Sequence, residues 1–329
     1  MLFINNQGIT DPRINLAIEE FAVKNLDINE TYLLFYINGP SIIIGKNQNT
    51  IEEINTKYVE ENGIHVVRRL SGGGAVYHDL GNLNFSFITK DDGNSFHNFR
   101  KFTEPVVSAL HKLGVNAELS GRNDITVEGR KISGNAQFST KGRMFSHGTL
   151  MFNSNIDNVV SALNVKMEKI QSKGIKSVRS RVANICEFLT TEMTVEEFRE
   201  MLLMFIFDKD GAVPEYKLTE EDWSKIEKIA DEHYRNWDWN YGKSPKFNLQ
   251  RSHRFPVGQI DIRLDVDKGI IENCKIFGDF FGVGDVEDIS KKLTGIRYEK
   301  QAAENALEGI DFTYYFGNIE KEDFFNLLF

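Results

Sequence analysis

Hydrophobic positions change period along this chain, and the changes mark its elements. Between residues 12 and 24 they recur at helical spacing, with Ile14, Ile18 and Phe21 on one face, Pro12 suited to the first turn and Asp11 placed to cap it. From Tyr32 the pattern becomes extended. Residues 32–37 and 41–45 read as strands around an Asn38-Gly39-Pro40 turn. Residues 65–69 and 82–88 read as further strands, separated by a glycine-rich turn and a short extended piece. A helix is predicted over 102–113, and residues 124–152 read as antiparallel strands with turns near Glu128-Gly129-Arg130 and Lys141-Gly142-Arg143.

The second half turns helical. Thr194 and Glu197 form a capping-box pair ahead of the apolar run Met201–Phe207, and Thr219 to about His233 reads as a second helix with many charges. The stretch 236–247, containing Trp237, Trp239, Gly242, Ser244 and Pro245, has no period and marks a boundary. Beyond it, residues 259–266 and 270–277 alternate around Asp267-Lys268-Gly269, a hairpin signal. Asp285 then caps a helix carrying Val286, Ile289 and Leu293 and ended by Gly295, and helical segments follow near 299–307 and 320–328. Meandering strands with segregated helices predict an α+β fold, with a larger domain over 1–245 and a small α/β domain over 246–329.

Composition adds limits. The chain has 329 residues, 41% hydrophobic and 26% charged, enough for a core that needs no disulfide or metal. Its two cysteines, Cys186 and Cys274, are far apart and form no zinc pattern, which points to a reducing cytosol. No basic-then-apolar leader opens the chain, and Met201–Phe207 falls far short of the roughly 20 residues that span a bilayer. The expectation is a soluble cytoplasmic protein with no membrane partner. A net charge of −9 without a basic tract disfavours nucleic acid as the main partner.

Three segments are too polar and glycine-rich for simple connectors. In Arg68-Arg69-Leu70-Ser71-Gly72-Gly73-Gly74-Ala75-Val76-Tyr77-His78-Asp79, consecutive glycines let main-chain amides approach an anion, and the arginines supply charge; the alternative is a flexible hairpin turn. It is neither a Walker loop nor a dinucleotide fingerprint, because its glycines lead into a strand. In Gly121-Arg122-Asn123-Asp124 and Arg130-Lys131-Ile132-Ser133-Gly134-Asn135, alternation places Lys131, Ser133 and Asn135 on one face. Lys131 there is either a point charge for a carboxylate and a phosphate together or a solvated strand lysine. In Ser146-His147-Gly148-Thr149-Leu150, His147 is either a general base or a hydrogen-bonded histidine near the sheet edge. Asp124 suits Mg2+ accompanying ATP or a turn-capping role, and the seven histidines form no HxxH or HExxH pattern.

Together these segments resemble the lipoate–protein ligase A family, in the same order and over nearly the whole chain. Lys173-Gly174-Ile175-Lys176-Ser177-Val178-Arg179-Ser180-Arg181-Val182 resembles its adenylate-binding loop, and the tail with Arg254-Phe255 resembles the accessory domain of the long bacterial form. The resemblance implies a mixed-sheet ligase-type catalytic domain and a two-step acyl transfer. Lipoate and ATP give lipoyl-AMP, and a lysine of an apo lipoyl domain then accepts the lipoyl group. It implies that Lys131 is the catalytic residue, touching both acyl group and nucleotide. Arg69, Gly74, Ala75, Val76 and Tyr77 would bind ATP, and Ser71, Gly72, Gly73 and His78 would bind lipoate. Asn123, Asp124, His147, Gly148, Thr149, Gly174, Ser177, Val178 and Arg179 would complete the site. ATP, Mg2+ and lipoate are the implied small molecules. E2 subunits of 2-oxoacid dehydrogenases or the glycine-cleavage H protein are the implied acceptors, with the accessory domain rotating to admit them.

Three rivals share parts of this pattern. An octanoyl or lipoyl amidotransferase would need a cysteine acyl-enzyme in the pocket, and Cys186 sits in a core-like Ile-Cys-Glu-Phe setting. A biotin ligase normally shows a Gly-Arg-Gly-Arg-type loop in place of Ser-Gly-Gly-Gly. A non-catalytic lipoate-binding relative would lack the lysine that stands at position 131.

Overall fold

The computed structural model describes residues 1–164, 181–209, 211–242, 247–267 and 269–329. Eight strands form a mixed sheet: β1 (Leu2–Asn5), β2 (Tyr32–Ile37), β6 (Asn82–Lys90), β7 (Glu118–Ser120), β8 (Asp124–Val127), β9 (Arg130–Thr140), β10 (Arg143–Met151) and β11 (Glu215–Tyr216). Their spatial order is β11-β1-β2-β6-β10-β9-β8-β7, with β1 parallel to both its neighbours and the other pairs antiparallel. Both faces of β2 are buried, so its sequence YLLFYI reads as continuous apolar residues rather than alternation.

The two faces have separate cores. Leu33, Phe35, Phe85 and Phe87 pack on helices Phe99–Lys112 and Val195–Phe207. Tyr32, Leu34 and Tyr36 pack on α1 (Pro12–Asn25) and on Ile226 of helix Glu220–Ile229. α1 is enclosed almost all round, so its one apolar stripe understates its burial: Glu19 and Glu20 are buried with it.

A second sheet of β3 (Ser41–Ile44), β4 (His65–Arg68) and β5 (Val76–His78), in order β4-β3-β5, stands beside α1 on that same face. Ile43, Val67 and Val76 turn toward α1 and the large sheet, while Ile42, Ile44, Val66 and Tyr77 form a small core on the far side. The third sheet, β12 (Leu249–Phe255), β13 (Gly258–Asp267) and β14 (Ile270–Gly278), has its own core of Ile260, Ile262, Leu264, Phe280, Phe316 and Phe324.

Several elements differ from the sequence reading for local reasons. The helix expected from 102 begins at Phe99, because the Asn98 side chain accepts from the Lys101 amide. The charged helix leaves α geometry at Ala230 in a π turn, where Tyr234 Oη and His233 Nδ1 meet the buried Glu20 carboxylate at 2.7 and 3.0 Å. The unperiodic 236–247 stretch holds a short helix, Trp237–Asn240, and β12 carried no readable alternation. A boundary between residues 245 and 246 lies outside the described residues. No helix among the described residues is long and apolar enough to cross a membrane.

Candidate active site

A cavity of about 150 Å³ opens between the large sheet, β3, β5 and α1. Tyr36, Asn84, Thr149 and Gly134 line it from four adjacent strands, Val76 and His78 from β5, and Leu16 from α1. Phe281 enters from the loop after β14.

The glycine turn forms one edge. Its shape is fixed from inside by Arg69, which donates from Nε to Ser71 Oγ (2.9 Å), from Nη1 to the Ile43 carbonyl (3.2 Å) and from Nη2 to the carbonyls of Gly72 (2.7 Å) and Gly74 (2.9 Å). Arg69 lines the cavity, and burial lowers its pKa to about 10. Arg68 points the other way. Its guanidinium donates to the carbonyls of Gly45, Gln48 and Trp239 and to Thr50 Oγ1, at 2.7–3.0 Å, and holds the turn after β3. Gly73 has φ of +92°, and a Cβ there would stand 2.7 Å from the Phe281 ring, so a left-handed turn and a close approach both require glycine. Gly72 packs under the Phe280 carbonyl.

Lys131 reaches the opposite edge. Its Nζ lies 2.7 Å from Asp124 Oδ1 and 2.9 Å from where a Gly134 Cβ would stand, so the missing side chain gives the ammonium its place. Here alternation misleads. Ser133 and Asn135 do share a face and hydrogen-bond at 3.2 Å. The register between β8 and β9 slips, however: Ile125 faces Ser133 while Thr126 faces Lys131. The extra residue, Ile132, makes a bulge that puts Lys131 over Gly134, on the cavity side. Asn123 donates to the Asn135 carbonyl at 2.6 Å, and Thr149 Oγ1 accepts from the Gly134 amide at 3.2 Å.

A buried polar chain runs beneath. Glu19 receives His147 Nδ1 at 2.9 Å, His147 Nε2 meets Ser71 Oγ at 2.7 Å, and Ser71 in turn accepts from Arg69. His147 therefore has partners at both ring nitrogens. The arrangement is a brace between α1, β10 and the glycine turn.

Of the sequence candidates, Arg69, Gly73, Gly74, Ala75, Val76, His78, Asn123, Lys131, His147, Gly148 and Thr149 line the cavity. Tyr77 instead packs in the small core behind β3, and Asp124 is present through its ion pair with Lys131. Gly174, Ser177, Val178 and Arg179 lie outside the described residues. Neither cysteine lines the cavity; Cys274 is buried in the third core with its thiol pushed up to about 12. Sequence reasoning missed Glu19, Tyr36, Asn84, Arg122 in its contact role, and Phe281. Paired acids inside an apolar helix were the one available signal, for Glu19. Arg122 donates to the Val257 carbonyl at 2.8 Å and lies over the Phe281 ring at 4.4 Å, tying the cavity mouth to the third sheet.

Residues 11–207 match the family described as the lipoyl protein ligase A/B catalytic domain, and residues 244–328 match that of the bacterial lipoate protein ligase C-terminus. The chain is 72% identical over 331 residues to lipoate-protein ligase LplJ of Bacillus subtilis, covering 100% of both. It is similar to the crystal structure of P. falciparum LipL1 in complex with lipoate, with TM-score 0.76 and 26% identity over 99% of this chain and 96% of that one. It is also similar to a lipoate–protein ligase A bound with ATP, with TM-score 0.61 and 31% identity over 70% of this chain and 94% of that one.

Proposed function

This chain belongs to the lipoate–protein ligase family, and from that premise we propose how its cavity performs the reaction. The protein is an ATP-dependent lipoate–protein ligase. A lipoate carboxylate oxygen attacks the α-phosphorus of ATP, pyrophosphate leaves, and lipoyl-AMP forms. The ε-amine of an acceptor lysine then attacks the acyl carbonyl, AMP leaves, and an amide remains.

In this reading Lys131 is the catalytic residue. One ammonium beside both the acyl carbonyl and the α-phosphate stabilises the charge that develops in each step, and the residue needs no covalent intermediate. The observation that carries this assignment is the position of Nζ at the cavity edge, over side-chain-free Gly134 and against Asp124. Gly74, Ala75 and Val76 form the nucleotide edge, with Tyr77 anchoring that strand from the small core behind it and Arg69 acting through the turn it braces. Ser71, Gly72, Gly73 and His78 shape the acyl pocket. Asn123, His147, Gly148 and Thr149 complete its floor. Mg2+ belongs to the same proposal: Asp124 is the carboxylate at the mouth, and a hard cation accepts one such ligand together with nucleotide phosphates and water.

The acceptors in this reading are apo lipoyl domains of 2-oxoacid dehydrogenase E2 subunits or the glycine-cleavage H protein, met in the cytoplasm. The accessory domain begins near residue 246, and withdrawal of Phe281 would widen the entry for the acceptor lysine. The test is lipoate-dependent pyrophosphate release. Lys131→Ala is expected to lower it by about a hundredfold to a thousandfold, and unchanged release would discard the assignment.

A further inference from the structure

His78 is buried on the cavity wall, and its two nitrogens are treated differently. Nδ1 lies 3.0 Å from Asn38 Nδ2, whereas Nε2 has no hydrogen-bond partner. The proton on that ring can be placed from its neighbours. Asn6 donates from Nδ2 to the Ile9 carbonyl and to Asn15 Oδ1, both at 2.9 Å. Asn15 Nδ2 donates to the Ile9 carbonyl and to Asn38 Oδ1, again at 2.9 Å. With its oxygen used as acceptor, Asn38 presents its NH2 to His78, so His78 Nδ1 accepts and Nε2 carries the hydrogen. Burial, with Arg69 and His147 nearby, lowers the His78 pKa to about 3, which keeps the ring neutral.

The cavity wall thus holds a fixed, unsatisfied donor with almost no exposed surface of its own, a costly feature unless a ligand meets it. Its position along the cavity matters. Tyr36, Asn84 and Thr149 are directly paired across β2, β6 and β10, and Gly134 follows on β9. Three strand spacings of about 4.8 Å separate Gly134, beneath Lys131, from Tyr36, roughly 14 Å away. Asn38 directly follows β2, so His78 stands at the Tyr36 end. Asn84, by contrast, already has a partner at each end of its amide, donating to the Tyr36 carbonyl and accepting from Asn82.

Lipoate has polar atoms only at its carboxylate and in its dithiolane ring. With the carboxylate at Lys131, the acceptor available to the far donor is a ring sulfur. We propose that His78 is a specificity-determining residue whose Nε2–H donates to a dithiolane sulfur and so selects lipoate over a plain fatty acid of the same length. This rests on the ligase reading above. Asn38 and Asn15 are positioning residues that set the tautomer. A methyl end leaves the donor as unpaired as before, so the hydrogen bond that only lipoate makes is what discriminates.

The experiment measures ATP-dependent kcat/KM for lipoate and for octanoate in the full-length protein, its His78→Leu, His78→Gln and Asn38→Leu variants, with calorimetric binding of both acids. His78→Leu should lose about tenfold of the preference for lipoate over octanoate, mainly in lipoate KM. His78→Gln, which keeps a donor, should restore part of it. Nitrogen NMR should show His78 as the neutral Nε2–H tautomer in the parent and a mixture in Asn38→Leu. Equal losses on both acids, or an unchanged ratio in binding and turnover, would overturn the proposal. A parent protein that turns over neither acid with ATP would instead overturn the ligase reading, while the binding ratio would still judge His78.

Discussion

Lys131 and Arg69 border one cavity with the same charge, yet they are built for different work. The Lys131 side chain is 39% exposed and has Asp124 as its ion-pair partner, so its ammonium can exchange that carboxylate for a substrate oxygen. Arg69 is 6% exposed and donates to three carbonyls and a hydroxyl of its own scaffold. Arg68, 1% exposed, is more completely enclosed still. A part-exposed cation with a single carboxylate partner serves as a reagent, whereas an enclosed one with several carbonyl acceptors serves as a structural clamp.

Substitution separates the two kinds. Lys131→Ala should lower lipoyl transfer by about a hundredfold to a thousandfold while changing unfolding free energy by no more than about 1 kcal/mol, since a part-exposed ion pair contributes little stability. Arg68→Ala should do the reverse in kind, costing about 3–5 kcal/mol in urea denaturation because several buried carbonyls lose their donor together. Arg68→Lys would restore little, since an ammonium cannot reach that fan of acceptors. A Lys131→Ala protein that unfolds as readily as Arg68→Ala would erase the distinction.

Gly73→Ala probes the turn that Arg69 braces. The left-handed backbone and the Phe281 ring should make it cost about 1–2 kcal/mol, and adding Phe281→Ala should recover the steric part while leaving the backbone part. Full recovery would mean that φ at Gly73 carries no cost.

The last effect is in pH. His78 has its pKa lowered to about 3 in the folded state, below the ordinary 6.5, so the native protein refuses a proton that the unfolded chain accepts. Its stability is therefore complete above pH 6.5, falls as pH drops toward 3, and loses nothing further from this group below that. The contribution is at most one proton, about 1.4 kcal/mol per pH unit. Urea titrations between pH 7 and 5 should show a shallower decline in His78→Gln than in the parent; identical slopes would remove His78 from the account.

Much of this was legible in the chain. Strands, the hairpin that joins β13 and β14 and the polar glycine segments stand out because alternation and turn chemistry are local. The placement of Lys131 was not legible, because a bulge at Ile132 reverses alternation and nothing in Arg-Lys-Ile-Ser announces it. Arg68 and Arg69 look alike in sequence and diverge only where β4 ends. Tyr36, Asn84 and Phe281 resemble core residues, and only the meeting of sheets far apart in the chain puts them on one cavity.

The most direct test of the central claim is the intact mass of an apo E2 lipoyl domain after incubation with free lipoate and either the parent protein or Lys131→Ala, with and without ATP. The account predicts a lipoyl-sized gain with the parent and ATP alone. A gain without ATP, or an equal gain with Lys131→Ala, would contradict it.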